Sequence, residues 1–390
     1  SGEGGKTAPE NPVVIGQDPE RRGVDVRINV LIPPVVYHSF VVIPHMLYEV
    51  YGDEGALRAN YPAMKKWVDY MAGFLEGGLM PKNTYGDWCV PPESPELIHS
   101  KDPARQTRGA LLSTAYYCHD LSLMVRSAEI LGEAADAARF RSLAETVWAA
   151  FQAQFFDAAK GYYDNGTQTS CVLPLAFDMV PPEERAHVFA HLVRKIEEES
   201  RGHIGTGLVG GQWLMRVLSD NGRPDLAYRI ASQPDYPGWG HMVGKGATTI
   251  WELWNGDTAD PAMNSGNHLM LAGDLAIWLH GHVAGIRPDP EAPGYKKIVI
   301  RPTPVGDLTW ARATYESAYG TIRSGWKKEA DGRLTLDVTI PPNTTATVFV
   351  PAARAAAITE GGRPLDKAAG VKVLGDEAGN VLLSVESGTY

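Results

Sequence analysis

Cysteine is scarce: Cys89, Cys118 and Cys171 are the three in 390 residues. They are too few and too scattered for a disulfide framework or a zinc site. No apolar run reaches the roughly 18 residues a membrane span needs. The most apolar stretch, Val30 to Val50, is interrupted by Pro33, Pro34, His38, Pro44 and His45. Basic charge is also short, with 36 Lys and Arg against 46 Asp and Glu and a net charge of −10. That balance argues against nucleic acid or an anionic membrane as partner, since both need a basic surface. His-Glu-x-x-His, Gly-x-Ser-x-Gly and a phosphate-cradling Gly-Lys-Ser/Thr loop are all missing, so no metal, no cofactor and no nucleotide is expected. The opening Ser-Gly-Glu-Gly-Gly-Lys-Thr has no apolar core for a secretion signal and reads as a flexible tail, so the expected location is the cytoplasm.

What is present divides the chain into parts. Residues 1–38 form a Pro- and Gly-rich lead. From 39 to 286 apolar residues recur at helical spacing, as in Leu57, Tyr61, Met64, Trp67 and Val68, or Val188, Leu192, Val193 and Ile196. Punctuation at Leu131-Gly132-Glu133 and Val180-Pro181-Pro182 separates the runs, and the spacing predicts about nine helices in consecutive hairpins. From 287 to 390 short alternating runs take over: Lys297 to Ile300, Arg333 to Val338 and Ala346 to Val350. Turns at Ala330-Asp331-Gly332 and Pro342-Asn343 lie between them, the pattern of an antiparallel β-sandwich.

The chemically suggestive stretch is 246–268. It sets the carboxylate of Glu252 between the indoles of Trp251 and Trp254, with His268 following at the start of a helical run. Indole faces pack on the apolar faces of sugar rings, and a carboxylate among them suits acid–base work on a glycosidic bond. Asn264-Ser265 is a good N-cap, and a helix N-terminus favours a neutral His268 that hydrogen-bonds a hydroxyl. In Tyr85-Gly86-Asp87-Trp88 a carboxylate and an indole again adjoin, able to hold vicinal hydroxyls and floor a ring.

These segments occur in a telling order. Tyr51-Gly52-Asp53, Trp67-Val68-Asp69-Tyr70 and Tyr85-Gly86-Asp87-Trp88 come first. Then come Thr206 to Gly210, Leu226 to Arg229, Tyr236-Pro237-Gly238-Trp239, Gly246 to Trp254, Met263 to His268 and Val283 to Tyr295. As a set they resemble the bacterial α-L-rhamnosidases of glycoside hydrolase family 78, over roughly residues 30 to 350. The resemblance implies a mainly α fold, an (α/α)6 toroid followed by the β-sandwich, and inverting hydrolysis of terminal α-L-rhamnosides. It implies Glu252 as general base, and Asp87, Trp88, Tyr37, Trp251 and His268 as substrate-binding residues of a rhamnose-containing glycoside site. The helix count falls short of six full hairpins, and the missing members would precede Ser39. The exposed flank at Val41-Val42-Ile43 and Met46-Leu47 then calls for a cover: a second copy of the chain, a separate amino-terminal polypeptide, or the lead segment 11–36 folded across the gap.

Two departures from the family pattern stand out. The upstream acid motif, Asp-Cys-Pro-x-Arg-x-Glu-Arg-x-Gly-Trp-x-Gly-Asp, has no counterpart beyond Glu20-Arg21-Arg22-Gly23, which makes Glu20 a weak candidate for the acid. Val36-Tyr37-His38-Ser39-Phe40 stands where relatives read Ala-Trp-Gly-Asp-Ala. A degenerate relative that binds rhamnosides without turning them over is the alternative reading.

Overall fold

A computed structural model describes residues 38–390 except 82–84, 95, 261, 263, 264 and 269. Glu20 and Tyr37 lie outside the described residues, as does most of the 1–38 lead. Ten α-helices are described: α1 (Ser39–Tyr51), α2 (Glu54–Ala72), α3 (Gly109–Leu131), α4 (Ala134–Phe155), α5 (Gln168–Ala176), α6 (Arg185–Arg194), α7 (Leu208–Asp220), α8 (Pro224–Ala231), α9 (Trp239–Gly244) and α10 (Met270–Trp278). Between α4 and α5 a small hairpin pairs β1 (Phe156–Asp157) with β2 (Tyr162–Tyr163).

Local chemistry sets these boundaries. Asp53 caps α2 by accepting from the Gly55 N–H at 2.7 Å, and Thr167 caps α5 by accepting from the Ser170 N–H at 3.1 Å. At the C-terminus of α3, Gly132 takes φ 80°, a left-handed conformation that costs glycine least. The prolines at 181 and 182 lead through a short 3₁₀ turn into α6, where the missing N–H of proline is harmless.

Burial separates inner from outer helices. In α3 the residues from Leu111 to Leu121 are buried all round save His119, and Leu123, Met124, Ser127 and Ala128 extend the burial. A helix buried on every side belongs at the centre of a domain. By contrast α1 buries only Val41, Pro44 and His45. Its other face shows Phe40, Ile43 and Met46, each at least 40% exposed, at spacings of three. The expected apolar flank is therefore carried by Phe40, Ile43 and Met46, and Val41 turns inward. Trp67, Tyr70 and Phe74, on α2 and just past its end, continue the stripe, with Phe40 5.8 Å from Trp67 and Tyr70 5.0 Å from Phe74 between ring centroids.

Past Gly285 the chain forms two facing sheets. One runs in the order β11 (Val371–Glu377), β12 (Asn380–Val385), β8 (Thr345–Pro351), β4 (Lys297–Ile300), β3 (Ile286–Pro288). The other runs β13 (Gly388–Thr389), β7 (Leu334–Ile340), β6 (Gly320–Lys328), β5 (Trp310–Ser317). A two-stranded hairpin, β9 (Thr359–Glu360) and β10 (Arg363–Pro364), stands apart. Pairing is antiparallel except between β4 and β8, where Ile298 meets Ala346 and Ile300 meets Val348 in parallel. Alternate residues point into the gap: Ile298, Ile300, Val348, Val381 and Leu383 from one sheet, Ile322, Val338 and Ile340 from the other. Each such side chain, fully buried, stabilises the fold by about 1.5–3 kcal/mol before conformational entropy is set against it.

The two units are joined through backbone. Trp326 Nε1 donates to the Val283 carbonyl at 2.8 Å and Ser324 Oγ to the Ala284 carbonyl at 2.6 Å. Gly285, at φ 86°, lies so near Arg301 that a Cβ would come within 2.3 Å of its carbonyl carbon.

Candidate active site

The segment Tyr85 to Val90 docks on the N-terminus of α7. Leu208 N–H donates to the Trp88 carbonyl at 2.7 Å. Gly207 permits the approach, since a Cβ there would sit 2.2 Å from that carbonyl oxygen. Asp87 completes the dock from below. Its Oδ2 accepts from the Gly207 N–H at 2.8 Å and from the Thr169 hydroxyl, and its Oδ1 from the N–H groups of Val209 at 2.9 Å and Gly210 at 3.2 Å. A buried carboxylate thus satisfies the otherwise orphaned donors of a helix start, where the macrodipole also favours negative charge. Burial pushes the Asp87 carboxyl up, and all four donors oppose it.

A carboxylate offers about four acceptor positions, and protein donors take all four at Asp87. Those four bonds fix the segment that carries Trp88, the neighbour of Asp87. Cys89 follows at φ 63°, turning the chain left-handed just after Trp88.

Trp88 is half-buried and its indole N–H donates to Glu252 Oε1 at 3.0 Å, across 164 residues of sequence. Glu252 comes from the 250–268 loop, whose two limbs are tied by backbone bonds: Glu252 N–H to the Ser265 carbonyl at 2.9 Å, and His268 N–H to the Ile250 carbonyl at 2.7 Å. The same loop turns the Ser265 N–H onto Glu252 Oε2 at 3.0 Å. Each carboxylate oxygen therefore has one protein donor and capacity for another. Half-buried and held at both oxygens, Glu252 has a fixed orientation and an open acceptor side. A group of that kind can take a proton from a bound water.

The flanking aromatics divide. Trp254 is a core residue, 1% exposed, packed edge-on against Trp239 at 5.2 Å. It offers no face to a ligand, contrary to the picture of a carboxylate between two sugar-binding indoles. Trp251 is half-buried at the margin of the same core. His268 lies two residues before the start of α10 and is half-buried, and its Nδ1 is buried with no hydrogen-bond partner among the described residues. No hydrogen bond joins Trp251 or His268 to Glu252 among the described residues.

Sequence reasoning gave Ser265 only a part in a helix cap and did not single out Thr169, Gly207 or Gly210 for a role. The spacing of Gly207, Gly210 and Gly211 was the available signal, since glycines at a helix start mark close backbone approach. Tyr85 and His99, which meet the Trp88 ring edge-on at 5.8 and 4.8 Å, were also not foreseen as a group.

Comparison with known proteins agrees with this architecture. A family profile described as the bacterial alpha-L-rhamnosidase 6 hairpin glycosidase domain matches residues 37–283. The bacterial alpha-L-rhamnosidase C-terminal domain matches residues 285–363. An alpha-L-rhamnosidase of Streptomyces avermitilis is 37% identical over 318 residues, covering 80% of this chain and 29% of its own length. One from Formosa agariphila is 33% identical over 354 residues, covering 90% of this chain and 37% of its own. The crystal structure of the Streptomyces avermitilis enzyme complexed with L-rhamnose superimposes with a TM-score of 0.80 at 33% identity, over 90% of this chain and 32% of that one. The chain thus spans about a third of the length of the relatives it matches. With a six-hairpin helical domain followed by the family's C-terminal β domain, it belongs to the bacterial α-L-rhamnosidase family of glycoside hydrolases.

Proposed function

We propose that this chain carries the general-base side of a site that hydrolyses terminal α-L-rhamnosides with inversion. The observation that supports this most is the two-point hold on Glu252, by the Trp88 indole and the Ser265 amide. It aims a carboxylate beside a half-buried aromatic ring and leaves it room to activate water. Inverting hydrolysis needs a second carboxyl about 6.5–9.5 Å away to protonate the leaving oxygen. The four donors on Asp87 argue against giving it that part.

The same four bonds favour a second reading, a rhamnoside-binding relative without turnover, because they leave the acid unassigned among the described residues. One experiment separates the two. The chain is incubated with 4-nitrophenyl α-L-rhamnoside, release of nitrophenol is followed, and the anomer first formed is read by proton NMR. Release with inverted rhamnose supports the hydrolase. Saturable binding of rhamnose without release supports the binder, and retained configuration would remove the general-base assignment. In either reading a second copy or an amino-terminal polypeptide would bury the stripe of Phe40, Ile43 and Met46, which light scattering on the purified chain can detect as a mass above that of the monomer.

A further inference from the structure

The two facing sheets of the sandwich have four outermost strands, and three of them are guarded against pairing with another chain. β3 and β13 are three and two residues long, and β3 ends in Pro288. β11 breaks register with β12 between Val373 and Gly375, a bulge that bends its edge away. β5 has none of these devices. Its eight residues pair with β6 in unbroken register, from Trp310 opposite Lys327 to Ser317 opposite Gly320, and hold no proline. Among the described residues no strand lies beyond it, and the backbone of 310–317 bonds to no segment other than β6. None of the eight is buried, whereas β6 buries Ile322, Ser324, Gly325 and Trp326. Such an edge carries a row of backbone donors and acceptors that a further strand can satisfy.

The side chains say which strand. On its solvent face β5 shows Trp310, Arg312, Thr314 and Glu316, all exposed, with Trp310 at 63%. Opposite charges at 312 and 316 are self-complementary in an antiparallel pair. When Thr314 faces Thr314 of a second copy, Arg312 of each falls opposite Glu316 of the other. Sliding the copies by two residues removes both ion pairs, and sliding by four sets Arg312 against Arg312 or Glu316 against Glu316. Glu316 accepts from the Thr321 hydroxyl at 2.9 and 2.8 Å, which aims the carboxylate and leaves it further acceptor positions. Arg312 forms no ion pair among the described residues, and its stem lies over Gly325, where no side chain stands in its way. In the same register Trp310 comes opposite the exposed Ala318 of the second copy, next to the exposed Tyr319, so the indole is covered.

We propose that β5 is a pairing edge for a second copy of this chain, joining the two four-stranded sheets across a two-fold axis at Thr314. This surface is distinct from the Phe40, Ile43 and Met46 stripe of α1, and it does not depend on the reading of the Glu252 site.

Sedimentation velocity on the purified chain, run from low to high micromolar concentration, tests it. A reversible monomer–dimer equilibrium is expected, since one strand edge makes a contact at the small end of specific interfaces. Arg312→Glu and Glu316→Arg should each weaken dimerisation by about tenfold or more, because each sets like charges opposite one another. An equimolar mixture of the two single variants should dimerise again, since the first presents two carboxylates to the two cations of the second. The chain carrying both substitutions should recover as well. Trp310→Ala should weaken the dimer several-fold, and Ile43→Glu, on the α1 stripe, should leave the equilibrium unchanged. A chain that stays monomeric throughout would overturn the proposal. So would a dimer broken by Ile43→Glu and indifferent to both charge changes, which would place the contact on α1. Loss in the single variants without recovery in the mixture or in the double variant would also overturn it, because the charges would then act on the fold and not on pairing.

Discussion

The loop around Asp87 and the loop around Glu252 each deliver a carboxylate to one tryptophan, yet the two carboxylates are treated in opposite ways. Asp87 is buried, accepts from four protein donors and sits on a helix start. Glu252 is half-buried, accepts from two and keeps an open side. In motif form they look alike, an acidic residue beside an indole. What separates them is the number of acceptor positions left over. Asp87 holds the backbone that holds Trp88, Trp88 holds Glu252, and the last two members are the ones turned toward the site.

The sharpest break between the two concerns chemistry. Glu252→Gln should lower rhamnoside turnover by about 10³-fold or more, with the loss in kcat, because a base acts in the transition state. An amide cannot accept at both positions, so either Trp88 or Ser265 loses its acceptor, and rhamnose affinity should weaken a few-fold. Substantial remaining activity would move the base elsewhere. Asp87→Ala should produce the largest loss of stability, about 3 kcal/mol or more, since it strands buried donors at the start of α7. A fall in melting temperature measures it. A variant that melts like the parent would make the four bonds incidental and return Asp87 to the list of ligand contacts.

Trp88→Ala probes the shared member. Rhamnose binding should weaken by about 1–2 kcal/mol, the scale of a lost aromatic face. Melting should shift little, because the ring is only half-buried. The reverse outcome, unchanged binding with a large melting shift, would place Trp88 with Asp87 as scaffold.

A third carboxylate extends the series to an effect that depends on pH. Asp274 on α10 is buried, has Arg216 at 3.5 Å, and its Oδ1 lacks a hydrogen-bond partner among the described residues. Burial lifts it to about 7, with Arg216 opposing. The folded value exceeds the ordinary carboxyl value of about 3.9. Its contribution to stability is therefore complete below about pH 4 and is lost as pH rises through about 7. Asp274→Asn cannot ionise, so it should gain on the parent by up to about 1.4 kcal/mol for each pH unit between 5 and 7. A melting difference that does not change with pH would mean that Asp274 stays charged against Arg216.

Much of this was readable from residue order. Helical spacing marked α2 and α6, Gly132 marked the end of α3, and alternation marked β4, β7 and β8, because each is a local rule. The parallel pairing of β4 with β8 was not readable, since strands 48 positions apart choose their neighbour by tertiary packing. Glu252 could be picked out because its residue type and indole neighbours suit the chemistry. Its actual indole partner could not: Trp254 is adjacent in sequence and turned into the core, whereas Trp88 is 164 residues away and makes the bond. The partners of Asp87 were unreadable for the same reason, as its four donors come from Thr169 and the 207–210 turn, far along the chain.

The join at Val283 to Gly285 has a practical side. Two carbonyls at the end of the helical unit take their donors from the other unit, Val283 from Trp326 and the Thr303 N–H and Ala284 from Ser324, and Gly285 is wedged against Arg301. Cutting the gene at this seam would leave those carbonyls without donors and bare a large indole on the discarded half. Anyone designing shorter versions or grafting the helical unit onto another partner should carry the sandwich along, because it finishes the surface against which the last helical turn is built.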